Sequence, residues 1–328
     1  MTTITLPETS ASEGMKNQPL TPGQLMWRRF RKHKAALFAL GGMIVLLLYI
    51  WLGGLVFSRG ICVPTGEFLT AEAYANCNDT AQKLQPPSRE HPFGTDTIGR
   101  DILARTIYGG QISLTIGIFA VIVEVIVGVL VGAVAGYFGG WVDDVLMRVT
   151  EAMLIIPSLF LLIVLSKAIG GSVPEIQFLG RAFSGSVVVI IFVIGFTSWM
   201  YLARIVRANV LSLKEMDYIS ASRALGVSDA RIIFKHLLPN TIAPIIVSST
   251  LGVANAITSE AYVSFLGLGV QTPTASWGNM LDSAVKYLQT APWLWLFPGL
   301  MIMLTVLCIN FIGDGLRDAL DPRSTRNI

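Results

Sequence analysis

Tyr218–Pro244 reads YISASRALGVSDARIIFKHLLPNTIAP, a polar stretch with helical periodicity between two long apolar runs. Gly226 stands where the residue after a helix end takes positive φ, and Ser228 stands where the next helix needs an N-cap. Asp229 follows in the first turn, facing the positive end of the helix dipole. Val227 and Ile232 have the spacing of a hydrophobic staple. Pro239 and Pro244 are expected to stop the second helix before the following apolar run. The reading is a rigid, basic helix–turn–helix held at a membrane surface.

Composition places the rest of the chain in a bilayer. Hydrophobic residues make up 53% and charged residues 14%, with mean hydropathy +0.63, against about 25% charged in soluble domains. A helical crossing takes about 20 apolar residues. Uncharged runs of that length occupy Ala35–Phe57, Ala182–Ala203, Thr241–Ser259 and Tyr287–Gly313. Ile112–Phe138 is another, broken only by Glu124, and Ala152–Ser166 becomes long enough if its helix starts near Trp141. Ala261–Leu281 is also uncharged, but Gly267, Gly269, Gln271, Pro273 and Gly278 would leave backbone groups open in lipid. That run is read as extracytoplasmic or re-entrant, and the expectation is an all-α membrane protein with six transmembrane helices.

Orientation follows from basic residues. Arg28, Arg29, Arg31, Lys32 and Lys34 crowd the entrance to the first span, so it begins in the cytoplasm. Six spans then leave sixteen of the 24 Lys and Arg on the cytoplasmic side, with both termini there. The expected divisions are a cytoplasmic arm over 1–34, a first span over 35–57, an extracytoplasmic loop over 58–110, a core over 111–314 with the hairpin at 217–240, and a cytoplasmic tail over 315–328. The first apolar run is too long for a cleaved signal peptide and reads as a retained anchor. A net charge of +3 fits topology and contact with lipid headgroups; it gives no nucleic-acid footprint.

Chemistry-bearing residues are few. Cys62 and Cys77 share the outer loop, where a disulfide could form and persist, while Cys308 lies in the last span as a small packing residue. Glu124 would lie about 20 Å into a span starting near Gln111, where an ionisable group should face a bundle interior, a cavity or a partner subunit; it reads either as a pathway or subunit-interface group or as a hydrogen-bonded structural carboxylate. Gly128, Gly132 and Gly136 beside it form a stripe that lets another helix approach. Asp101 reads as the start of an interfacial helix with Ile102, Leu103 and Ile107 turned to lipid. Asp143 and Asp144 are read as favourable charges at a helix start, with no nucleophile or base beside them. His33, His91 and His236 are scattered without metal-ligand spacing. No G-x-x-x-x-G-K-[ST] phosphate loop occurs, so ATP hydrolysis by this chain is not expected.

The hairpin resembles the EAA coupling loop of ABC-importer permeases: Ala221, Gly226, Leu238 and Pro239 match, with the proline thirteen residues after the glycine. Ser220 replaces the usual Glu and Ser222 the usual Ala. HPFGTDTIGRD (His91–Asp101), SFLGLG (Ser264–Gly269) followed by Ser276-Trp277-Gly278, and FIGDGLRDALDP (Phe311–Pro322) resemble, in order, motifs of the C-type permeases of oligopeptide, dipeptide and nickel importers. The resemblance runs from about Trp27 to the end. It implies a type I importer permease fold in a bacterial inner membrane, with Ser220, Ala221, Ser222, Gly226, Ser228, Asp229, Leu238 and Pro239 in the ATPase-coupling hairpin. It also implies a B-type permease as heterodimer partner, two ATPase subunits holding ATP and Mg, and a periplasmic or lipid-anchored solute-binding protein. Glu260 matches a Glu of the family, expected near the outer end of the pathway. Short peptides are the expected cargo, with nickel chelates or another small solute as the alternative. A stand-alone secondary transporter is the reading from another class; it requires internal symmetry and several mid-membrane charges, and only Glu124 is of that kind.

Overall fold

The computed structural model describes residues 21–56, 71–169, 174, 176–178 and 181–321. Thr21 caps α1 (Pro22–Phe30) through a capping box with Gln24, and Pro22 occupies the first turn, where its missing N–H costs nothing. α2 (Lys34–Val56) follows after three residues, Arg31–His33, and α3 (Ala71–Ala75) precedes a single 3₁₀ turn at Thr80–Gln82. Cys62 lies outside the described residues, so the expected pairing with Cys77 falls there too. Cys308 is the free cysteine among the described residues, with its Sγ against Gly42 of α2.

Asp101 N-caps α4 (Ile102–Phe138), its Oδ1 accepting from the Ala104 N–H at 2.8 Å. The expected interfacial helix is therefore the first ten residues of the long span itself. Ile102, Leu103 and Ile107 are not turned to lipid but buried within the protein. The span begins well before Gln111 because Trp277 and its neighbours surround its first turns and replace the lipid that a surface helix would need.

α5 (Gly140–Ile155) and α6 (Ser158–Ile169) stand where the third span was expected, but they meet at a 90° bend. Pro157 accounts for it: the preceding Ile156 is held extended at φ −73°, ψ 123°, and the proline has no N–H to continue the ladder. Five described helices are thus long and apolar enough to cross a membrane singly, and the bent pair is the sixth candidate. Two short antiparallel strands, β1 (Ile176–Phe178) and β2 (Arg181–Phe183), precede α7 (Gly185–Lys214), which starts three residues later than the apolar run and ends eleven beyond it.

α4 and α7 form the most extensive helix contact. A Cβ at Gly128, Gly132 or Gly136 would stand 3.0, 2.4 and 2.9 Å from the carbonyls of Trp199, Ala203 and Arg207 respectively. The small-residue stripe is intramolecular packing, as expected. Asp143, at the start of α5, does more than favour a helix dipole: Arg207 of α7 donates to both its oxygens, at 2.5 Å each.

The chain then turns through α8 (Asp217–Ala224), α9 (Asp229–Arg231), a π-helical segment Ile232–Leu237 and α10 (Leu238–Asn240) into α11 (Ile242–Phe265). α12 (Trp277–Ala284) and α13 (Trp293–Leu320) complete it. α13 packs on α2 and α11, and Phe30 of α1 is buried with Ala36 and Ala319.

Candidate functional site

The hairpin of α8 to α10 turns over the six residues Ser222–Val227. The Val227 N–H donates to Ser222 O at 3.1 Å and the Gly226 N–H to Arg223 O at 2.9 Å, the Schellman pattern. Gly226 sits at φ 74° with no atom within 4 Å of a built Cβ, so its identity is dictated by backbone conformation and not by crowding. Ile219, Ile232 and Leu237 are fully buried with Leu202, Val206 and Val210 of α7, and Val227 packs against the same cluster. Both members of the expected staple thus belong to one apolar anchor.

Two details depart from the sequence reading. Ser228 occupies the N-cap position, but its side chain makes no capping bond. Asp229 instead accepts from the Tyr137 hydroxyl at 2.5 Å, and the Arg223 guanidinium lies over the Tyr137 ring at 5.0 Å. Tyr137 is near the end of α4, so α4 is clamped to both arms of the hairpin. Pro239 does not stop the helix either. The Leu238 N–H reaches back five residues to Ile233 O, and Pro239 then enters α10 in its first turn, where no donor is required. Thr241 alone is non-helical before α11, and Pro244 falls in the first turn of that helix. The hairpin is consequently almost continuous with a membrane-crossing helix.

The outer surface of the hairpin is partly apolar. Leu225 is 83% exposed and Phe234 61%, and Met216 and Tyr218 are exposed as well. Ser220, Ala221, Gly226, Ser228, Asp229 and Pro239 are exposed on the hairpin, while Ser222 and Leu238 are half-buried. Apolar side chains of this size standing free on a rigid, otherwise polar unit form the kind of patch that marks a protein contact.

At the opposite end of the bundle Glu260 joins the remaining motifs. It is fully buried on α11, and its carboxylate accepts from Ser113 of α4 at 3.0 Å and from Ser264 at 2.7 Å. Ser113 Oγ in turn accepts from the Trp277 N–H at 3.2 Å, and Ser264 Oγ from the Val270 N–H at 3.0 Å. Trp277, also fully buried, donates its indole N–H to Thr106 O at 2.8 Å. The SFLGLG and Ser276-Trp277-Gly278 segments are therefore tied to the start of α4 through one carboxylate. A buried charge is tolerable only with such hydrogen bonds around it. The His91–Asp101 segment is similarly occupied with itself: His91 meets Asp101 at 2.7 Å, and Asp96 accepts from Arg100 at 2.6 Å. Glu124 lies elsewhere, about 33 Å along α4, with its carboxylate against Gly252 of α11. Among the described residues no group of three or more His, Cys, Asp or Glu is arranged to hold a metal ion.

Residues 128–326 match the family described as binding-protein-dependent transport system inner membrane component. Residues 21–87 match the N-terminal TM domain of oligopeptide transport permease C. The dipeptide transport system permease protein DppC of Alkalihalophilus pseudofirmus is 42% identical over 298 residues, 90% of each chain. DppC of Bacillus subtilis is 39% identical over 96% of this chain and 90% of its own. The glutathione transport system permease protein GsiD of Escherichia coli is 38% identical over 94% of this chain and 92% of its own.

Proposed function

This chain belongs to the family of inner-membrane components of binding-protein-dependent transport systems, and we propose that it forms half of an ATP-driven import pathway for short peptides. The observation that carries this reading is the clamped hairpin: a closed turn, an apolar anchor on α7, and exposed Leu225 and Phe234, which no described residue covers. Separate ATPase subunits, which hold the ATP and Mg²⁺, dock on that surface. Their closure moves the hairpin as one body. Because only Thr241 interrupts the helix into α11, and Tyr137 fastens the hairpin to α4, the motion passes directly to two membrane-crossing helices.

A B-type permease supplies the other half of the pathway, and a solute-binding protein delivers cargo at the Glu260 end. The hairpin and both termini face the cytoplasm, in keeping with the excess of Lys and Arg at that end. Peptide cargo is favoured over nickel chelates by relatives whose names specify dipeptides and glutathione. Purification of the tagged chain from its own membranes tests the assembly. A second permease and ATPase subunits co-purifying in stoichiometric amount, with dipeptide uptake in proteoliposomes, support it; a chain that purifies and transports alone contradicts it.

A further inference from the structure

We infer that Glu124 and a polar face of α11 form a station within the pathway that receives the ammonium group of the cargo. Glu124 is 7% exposed, and among the described residues no donor or cation pairs with its carboxylate. Its depth is about 21 Å from the hairpin end of α4. A carboxylate so placed is costly unless something charged or polar meets it in some state of the protein. It is directed at Gly252, where a Cβ would stand 3.1 Å from Glu124 Oε2.

Gly252 is one member of a stripe on α11. Ser248, Gly252, Asn255, Ser259 and Tyr262 recur at spacings of three and four and so share one helical face. Asn255 is exposed about 20 Å along this helix, and Tyr262 is 57% exposed above it. Hydrocarbon would disfavour a face of serine and asparagine at that depth, whereas a water-lined pathway would not. The stripe carries no charge of its own, and Glu124 stands at its margin. An α-ammonium passing along this face would find its counter-charge beside Gly252. α11 is also the helix to which the hairpin is joined, so movement of the hairpin changes the exposure of this face and of Glu124 together.

The inference rests on the importer reading, and its test separates the two. The complete importer is reconstituted with its binding protein, and uptake of dialanine is measured per ATP hydrolysed. Wild-type protein that carries no dipeptide overturns the cargo reading and the ammonium assignment with it. With wild-type uptake established, Glu124→Gln keeps the shape and removes the charge; uptake per ATP is expected to fall about tenfold, the scale of one charge-assisted hydrogen bond. Moving the carboxylate onto the stripe, as Glu124→Ala with Gly252→Asp, is expected to restore part of the loss, which a merely structural role of Glu124 would not allow. Unchanged uptake in Glu124→Gln overturns the assignment alone. So does a loss confined to co-purification of the second permease, which would make the carboxylate a subunit contact.

Discussion

The Tyr137 hydroxyl donates to the Asp229 carboxylate across 2.5 Å, and this bond fastens the end of one membrane-crossing helix to the far arm of a hairpin 92 positions later. Arg223, from the near arm, covers the same ring. A ring held from both sides makes the hairpin and α4 one mechanical unit, which an importer needs if motion received at its surface is to tilt helices instead of flexing a loop.

Tyr137→Phe removes the hydrogen bond and leaves the ring under Arg223. Because Asp229 is exposed, the bond contributes only about 1 kcal/mol to stability. Membrane levels should therefore stay normal, while ATP hydrolysis continues with less transport per ATP. Uptake and phosphate release on the same proteoliposomes check this; an unchanged ratio would show that the clamp plays no part in coupling.

Gly132→Ala places a methyl 2.4 Å from the Ala203 carbonyl, a backbone atom that cannot rotate away. The α4–α7 contact must open, at about 1–3 kcal/mol for overpacking of this kind. Thermal unfolding in detergent should move to lower temperature. Gly41→Ala, where nothing lies within 4 Å of the new methyl, is the matched control and should leave the transition in place.

Arg207→Lys keeps the charge opposite Asp143 but loses the planar two-bond fork. With Arg207 a third exposed, the loss should be about 1 kcal/mol. The double variant Asp143→Asn with Arg207→Gln should be no less stable than either single variant, since each already breaks the pair. Additive losses in thermal unfolding would contradict a direct coupling.

Orientation is open to labelling. In a background without native cysteines, Thr80→Cys should react with a membrane-impermeant thiol reagent on intact cells, and Ser324→Cys should not. The reverse pattern would invert the topology. Peptide mapping without reductant, on protein that keeps its cysteines, should recover Cys62 joined to Cys77.

Those features of the fold that depend on local chemistry were legible in the sequence. Gly226 demands positive φ, Val227 and Ile232 have staple spacing, and the glycines of α4 recur every fourth residue; each appears as read. What could not be read depends on partners distant in the chain. Tyr137 gives no signal until Asp229 is beside it, and Asp143 passes for a dipole charge until Arg207 arrives. Ile102 and Ile107 look lipid-facing because apolar residues read alike in lipid and in protein, and only their packing neighbours distinguish the two. Pro239 misled for a different reason: a π-helical turn just before it absorbs the missing donor, and no composition rule announces such a turn.

The most direct test of hairpin coupling is paired measurement of dipeptide uptake and binding-protein-stimulated ATP hydrolysis in proteoliposomes carrying Gly226→Val or Gly226→Asn. Valine disfavours the φ of 74° that the turn requires, while asparagine tolerates it and has open space for its side chain. The account requires the valine variant to reach the membrane normally, to bind the ATPases weakly and to lose both activities, with the asparagine variant close to wild type. Full uptake by Gly226→Val would contradict it and leave the hairpin an ordinary loop.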